Sequence, residues 1–252
     1  MRHALLRCAF WLLALLTLPL PALASSLLIW PIYPTIESHQ TASALWLENQ
    51  GDNAVVMQLR VFEWQQHEGE DQYFPQEAIV GSPPMMEIAP GERQLVRLIR
   101  QAPPPAAQEQ AFRVIIDEIP ATASDSPSEA SHTASVRLQM RYSLPLFSYG
   151  EGAAPTARHA SSDLPYPGLS WRLISQEGKS WLEIHNSAEQ HVRLNQVAFQ
   201  QGGQRSEVAS GLLGYVLPGS TRRWPLPQET RPAERLVANI QGVEHVIAAA
   251  TD

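Results

Sequence analysis

The side chains that could do chemistry are few and far apart. Apart from His3, the histidines are His39, His67, His132, His159, His185, His191 and His245, scattered singly along the chain. His185 and His191 are the closest pair. They flank a turn signal and could stand on adjacent strands as metal ligands, but surface histidines on a hairpin are the simpler account, and no metal site is expected. Asp117 and Glu118 are neighbours in a strand-like segment. Successive strand residues face opposite ways, so these two cannot form the carboxylate pair that acid–base work requires. There is no Gly-x-Ser-x-Gly elbow, no glycine-rich phosphate loop and no His-Glu-x-x-His. The only cysteine is Cys8, close to the N-terminus, so the rest of the chain has no disulfide, no thiolate ligand and no cysteine nucleophile. These absences point away from an enzyme, and no cofactor is expected.

The cations are nearly all arginine, Lys179 being the only lysine. Arginine grips carboxylates with a fixed, two-pronged geometry, although codon usage alone can produce the same bias. The compartment is set by the first residues. Arg2 and Arg7 precede an apolar run over residues 9–18, then helix-breaking Pro19 and Pro21, then Ala22-Leu23-Ala24. That pattern predicts a secretory signal peptide over residues 1–24, cleaved after Ala24. The run is too short for an anchor, and no later segment approaches the ~20 apolar residues of a spanning helix, so no membrane insertion is expected. Without Arg2 and Arg7 the remainder carries 16 basic and 25 acidic residues, a net charge of −9. That argues against nucleic acid or an anionic membrane surface as partner.

The elements that must position any site read as strands. Residues 44–47, 54–64, 95–100 and 112–119 are short apolar or alternating runs, punctuated by the Asn49–Asn53 turn cluster, Pro90-Gly91 and Pro120. Residues 136–146 alternate strictly. Val136, Leu138, Met140, Tyr142, Leu144 and Leu146 share one face, and Arg137, Gln139, Arg141 and Ser143 the other. Residues 102–110 form a Pro/Ala loop, and 121–134 are small, polar and patternless, which suggests a flexible loop. A Gly/Pro/Ala-rich stretch at 151–167 reads as a linker. Strand patterns restart at 169–174, 180–185, 192–200, 214–217, 222–226 and 236–247. Asn186 and Pro218-Gly219 repeat the punctuation of Asn49 and Pro90-Gly91, which suggests two related modules. The expected fold is all-β: two β-sandwiches of immunoglobulin-like type, over residues 25–150 and 168–252.

Six motifs occur in order: residues 28–34 (LIWPIYP), 45–49 (LWLEN), Ser82-Pro83-Pro84, Pro90-Gly91 with Arg97-Leu98, 112–120 (FRVIIDEIP) and 140–147 (MRYSLPLF). With these the chain resembles periplasmic chaperones of the chaperone–usher pathway for pili, above all the archaic branch, in which such first and last strands are typical. The likeness covers all of the first module and is weaker over the second. It implies a non-enzymatic periplasmic protein that binds and stabilises pilus subunits (pilins and the tip adhesin) and delivers them to an outer-membrane usher. Such subunits are sandwiches lacking their last strand. The chaperone lends its own, with backbone hydrogen bonds supplying affinity and alternate side chains filling pockets. Val136, Leu138, Met140, Tyr142 and Leu144 are the donor residues this implies, each worth roughly 1.5–3 kcal/mol gross if fully buried. By pattern alone the same segment could be an ordinary half-buried strand of its own sandwich.

The resemblance also places Ile29, Pro31 and Tyr33 of the first strand against the subunit. Family members carry an Arg on the first strand and a Lys on the last that together hold the subunit's C-terminal carboxylate. Those positions align here with Tyr33 and Pro145, neither of which can pair with an anion. The substitute cation is expected among Arg113, Arg97, Arg141 and Arg60, with Arg113 favoured because it interrupts an apolar strand. Internal pairing of Arg113 with Asp117 is the alternative. A second class of function is a structural pilus subunit or surface adhesin. It would call for an N-terminal donor extension and a truncated sandwich, whereas this chain has a full set of strands in its first module.

Overall fold

A computed structural model describes residues 27–120, 139–155 and 164–250. The expected signal peptide, the loop at 121–134, the donor residues Val136 and Leu138, and residues 156–163 of the expected linker lie outside the described residues. Every regular element among those described is a strand.

The first module contains β1 (Leu27–Trp30), β2 (Thr35–Ile36), β3 (Ala42–Asn49), β4 (Val55–His67), β5 (Glu70–Pro75), β6 (Ile79–Ser82), β7 (Met85–Ile88), β8 (Arg93–Arg100), β9 (Glu109–Ile119) and β10 (Arg141–Tyr149). One sheet runs β1-β3-β8-β6. The other runs β2-β10-β9-β4-β5, with β7 also on β4. Period-two alternation turns Leu45 and Leu47, Val96 and Leu98, and Val114 and Ile116 into one core between the sheets, joined by Ile36 and Leu146.

The second module contains β11 (Pro165–Gln176), β12 (Lys179–Asn186), β13 (Val192–Gln201), β14 (Gln204–Val216), β15 (Thr221–Pro225), β16 (Arg235–Ile240) and β17 (Val243–Ala249). They hydrogen-bond in the order β14-β13-β16-β17-β11-β12-β15 around a core that includes Trp171, Leu182, Val197, Phe199 and Leu236.

The repeated punctuation has a repeated structure. Asn49 Nδ2 donates to the carbonyls of Asn53 and Ile88, and its Oδ1 accepts from the Gly51 amide. Asn186 does the same with the carbonyls of Gln190 and Val216 and the Ala188 amide. Both asparagines are buried, and each ties its turn to a distant strand, as a buried amide must.

Four sequence expectations are revised. The first strand expected through the 28–34 motif, with Ile29, Pro31 and Tyr33 on it, is not continuous. Pro31 and Pro34 have no amide hydrogen, so the chain leaves β3 after Trp30 and resumes as β2 beside β10 in the other sheet. The segment 236–247 is two strands, folded at Gln241-Gly242, both with positive φ (54° and 86°), the geometry of a tight hairpin turn. Strands β5, β6 and β7 and most of β14 lack clean alternation, and only pairing with neighbours extends them. The linker ends early, because Tyr166 is buried in the second core and draws Pro165 onwards into β11.

Candidate functional site

Strand β10 is bonded along one side only. Its nine residues pair with β9, from Arg141 opposite Asp117 to Tyr149 opposite Glu109. On the other side only Phe147 and Ser148 are paired, with Thr35 and Ile36 of β2. Among the described residues, the outer edge from Arg141 to Leu146 has no neighbouring strand. β1 is likewise bonded only to β3 among the described residues. The two edges approach each other at one point, where the Leu27 backbone lies within hydrogen-bonding reach of the Tyr142 hydroxyl. Burial and the Glu118 carboxylate push that hydroxyl's pKa up.

The alternation in β10 is as read. Leu146 is fully buried, Tyr142 and Leu144 are half-buried against the same core, and Met140, just before the strand, is 38% exposed. Tyr142, Leu144 and Leu146 thus rest on their own sandwich. Of the first-strand residues, Ile29 points into the core and is buried, Pro31 is exposed, and Tyr33 is half-buried at the junction of the two modules.

That junction is built by the opposite face of β10. Phe147 and Tyr149 pack with Trp64, Ala111, Tyr215 and Leu217. The His191 ring stacks on Phe147 at 3.4 Å between centroids. Its Nδ1 lies 2.9 Å from Glu109 Oε2, while the His191 amide donates to Oε1. Burial, with the Glu109 carboxylate beside it, pushes the Tyr149 hydroxyl well above the ordinary range. Gln66 bridges the modules through the Tyr215 carbonyl and the Leu217 amide, and Arg222 reaches back to Asp71 and the Gly69 carbonyl. A cleft of ≈ 860 Å³ opens between the modules, with Tyr33, Thr35, Phe147, His191, Arg193 and Tyr215 in its walls.

The expected cations separate cleanly. Arg97 is exposed on β8, in the sheet away from β10, opposite Ala44 and Ser82. Arg60 and Arg141 both hydrogen-bond to Asp117. Burial would raise the Asp117 carboxyl, but these two hydrogen bonds outweigh it and hold its pKa down. Arg113 therefore does not pair with Asp117. It sits opposite Pro145, its guanidinium carbon 3.8 Å from the Trp64 ring centroid and 5.6 Å from that of Tyr215, and its buried Nε has no hydrogen-bond partner. His185 and His191 are not brought together: His185 meets Thr221, whereas His191 meets Glu109. Among the described residues no cluster of three or more His, Cys, Asp or Glu could hold a metal.

Sequence reasoning missed Arg193, Tyr215 and Glu109, and singled out His191 only as a possible partner of His185. Nothing local marks them, since each is an outward residue of an ordinary strand or its flank, and only the packing of one module on the other gives them neighbours.

Comparison with known proteins gives this geometry a family. Residues 33–152 match the N-terminal domain of PapD, described as a pili and flagellar-assembly chaperone. No curated protein matches the chain. The structure of the CsuC–CsuE chaperone–tip adhesion subunit pre-assembly complex, from archaic chaperone–usher Csu pili of Acinetobacter baumannii, is similar at 31% identity with a TM-score of 0.70, covering 90% of this chain and 100% of that one. The Salmonella enterica SafA pilin–SafB chaperone complex (16% identity, TM-score 0.57, 89% and 95% covered) and the E. coli chaperone DraB (17%, 0.55, 90% and 98%) share the fold. These likenesses decide against a structural subunit or adhesin, and the family is one of chaperones rather than an enzyme class. The chain belongs to the pilus-assembly chaperones of the chaperone–usher type, with their two immunoglobulin-like domains, and is similar to the archaic branch.

Proposed function

We propose that this chaperone acts in the periplasm, after removal of residues 1–24, by lending β10 and the segment before it to incomplete pilus subunits. The observation that carries the reading is the free edge from Arg141 to Leu146, with Met140 exposed at its start and Tyr142 and Leu144 only half-buried behind it. An unpaired edge with apolar side chains on alternate positions is what a sandwich lacking its last strand requires. Val136 and Leu138 extend the same apolar face by sequence. Tyr33 lines the interdomain cleft and Pro31 is exposed two residues before it, whereas Ile29 is buried in the first core.

Arg113 is the favoured partner of the subunit's C-terminal carboxylate. Its Nε is buried without a partner and no carboxylate pairs with it among the described residues, while Arg141 is committed to Asp117 and Arg97 stands in the other sheet. Pilins and the tip adhesin are the proposed cargo, and an outer-membrane usher receives them.

The test is co-expression with a neighbouring pilin. The wild-type protein should co-purify with it one-to-one, keep it soluble and be absent from finished fibres. Met140→Glu places a charge on the groove-facing side and should abolish capture. Unchanged capture by this variant would mean that the strand is not lent.

A further inference from the structure

The second module contributes a cation that nothing in the sequence singled out. Arg193 lies on β13, directly opposite Tyr215 of β14. It reaches across the junction to the first module, placing its guanidinium carbon 4.6 Å from the Tyr33 ring centroid. It lines the cleft. Its Nε is buried and has no hydrogen-bond partner, and no carboxylate forms an ion pair with it among the described residues. The junction carboxylate, Glu109, is already engaged by the amide and ring of His191.

Arg113 is in the same condition on the far side of Tyr215. Both guanidinium groups act on the Tyr215 hydroxyl, which also hydrogen-bonds to Tyr33. Both side chains are half-buried with a buried, unpartnered Nε, and a charge even partly withdrawn from water without a counterion is costly to hold. Both are steadied by aromatic faces, which bind a cation without neutralising it. Arg193, in the cleft wall, and Arg113, behind Tyr215, thus flank one phenol with no carboxylate paired to either among the described residues.

Position identifies the anion. A strand added along the free edge of β10 cannot continue past Leu146, because β2 occupies the edge at Phe147 and Ser148. If it runs parallel to β10, its C-terminal end stops at the cleft, beside Tyr33. A main chain ending there presents a free carboxylate with two oxygens, which matches guanidinium donors from two directions.

We propose that Arg193 is the second carboxylate-binding cation of this chaperone, so that the subunit's C-terminus is held jointly by Arg113 of the first domain and Arg193 of the second. This rests on the reading that β10 is lent to a subunit. It also gives the second domain a direct share in subunit recognition, in a chain that has Tyr33 and Pro145 where family members carry their cations.

The experiment uses the full-length mature protein and the pilin that co-purifies with it. Two forms of that pilin are compared, one with its natural C-terminal carboxylate and one ending in a carboxamide, made by ligation. Arg193→Gln should weaken binding of the carboxylate form by about thirtyfold or more, the usual consequence of removing one partner of a buried charge pair. Binding of the carboxamide form should be nearly unchanged. Arg193→Lys should retain part of the discrimination, and it serves as the second variant if the Gln protein unfolds. An equal loss for both pilins, or no loss for either, overturns the assignment. Met140→Glu run in parallel separates this from failure of the strand-lending reading, which would show as undiminished capture of both forms.

Discussion

Arg113 of β9 stands directly opposite Pro145 of β10, and its guanidinium carbon lies 3.8 Å from the centroid of the Trp64 ring. The pairing sets a charge at the root of the free strand while fixing it to the junction between the two domains. Replacing Arg113 with Ala should therefore cost in two measurements. Chemical denaturation should show a loss of about 1–2 kcal/mol from the missing cation–π contact, and subunit affinity should fall. Arg113→Lys should keep more affinity than stability, because it retains the charge but not the flat stack. A subunit held by Arg113→Ala with unchanged affinity would remove this residue from the carboxylate site.

Positions on one face of β10 and the residue before it should behave differently. Leu146 is completely buried in the first core, so Leu146→Ala should destabilise the free chaperone by about 2–5 kcal/mol. Met140 is 38% exposed, so Met140→Ala should change stability by no more than about 0.5 kcal/mol. Capture of the pilin should nonetheless weaken. Equilibrium unfolding of the two free proteins, set beside a pull-down, checks the contrast.

Acid should loosen the attachment of β10. Burial would raise the Asp117 carboxyl, but the hydrogen bonds from Arg141 and Arg60 hold it below its ordinary 3.8. A folded pKa below the unfolded one means stabilisation that is complete above the unfolded value and is lost as pH falls through the folded value. Because Arg141 and Arg60 are largely open to solvent, the contribution should be only about 1 kcal/mol. Asp117→Asn should flatten the fall in stability below about pH 4. Glu183, buried beneath Arg223 and Arg172, is lowered in the same way against its own burial, and Glu183→Gln should have the parallel effect in the second domain. Unfolding free energies measured from pH 7 to 3 decide this, and identical slopes for wild type and variants would contradict it.

The angle between the domains should depend on Gln66. Its side chain donates to the Tyr215 carbonyl and accepts from the Leu217 amide, so Gln66→Ala leaves two interdomain backbone groups without protein partners, at about 1–3 kcal/mol. Calorimetry should then show the two domains unfolding at more widely separated temperatures, and small-angle scattering should show a broader distance distribution. A single unshifted transition would argue that the Glu109–His191 and Arg222–Asp71 contacts suffice.

Much of this protein was legible from local pattern. The alternation that puts Tyr142, Leu144 and Leu146 on one face of β10 needs only the two-residue repeat of a strand. The matching asparagines, Asn49 and Asn186, announced two modules because a short amide at a strand end captures its own turn wherever it occurs. Strands β5 to β7 were not legible. Most of β5 is exposed, and Ile79-Val80 and Met85-Met86 put apolar side chains on both faces of β6 and β7, so no period-two pattern of residue types marks them.

By itself, the sequence determined the all-β class, the apolar face of β10 and the lack of any cysteine beyond Cys8, since these depend on residue type and spacing along the chain. The tertiary structure alone decided that the edge from Arg141 to Leu146 is left unpaired, that Asp117 takes Arg60 and Arg141 and so leaves Arg113 unmatched, and that Arg193 comes to rest over Tyr33. Residues 33 and 193 are far apart along the chain. Their meeting depends on how two separate cores dock through Trp64, Phe147 and Tyr215, and no local pattern encodes a contact between two outward faces.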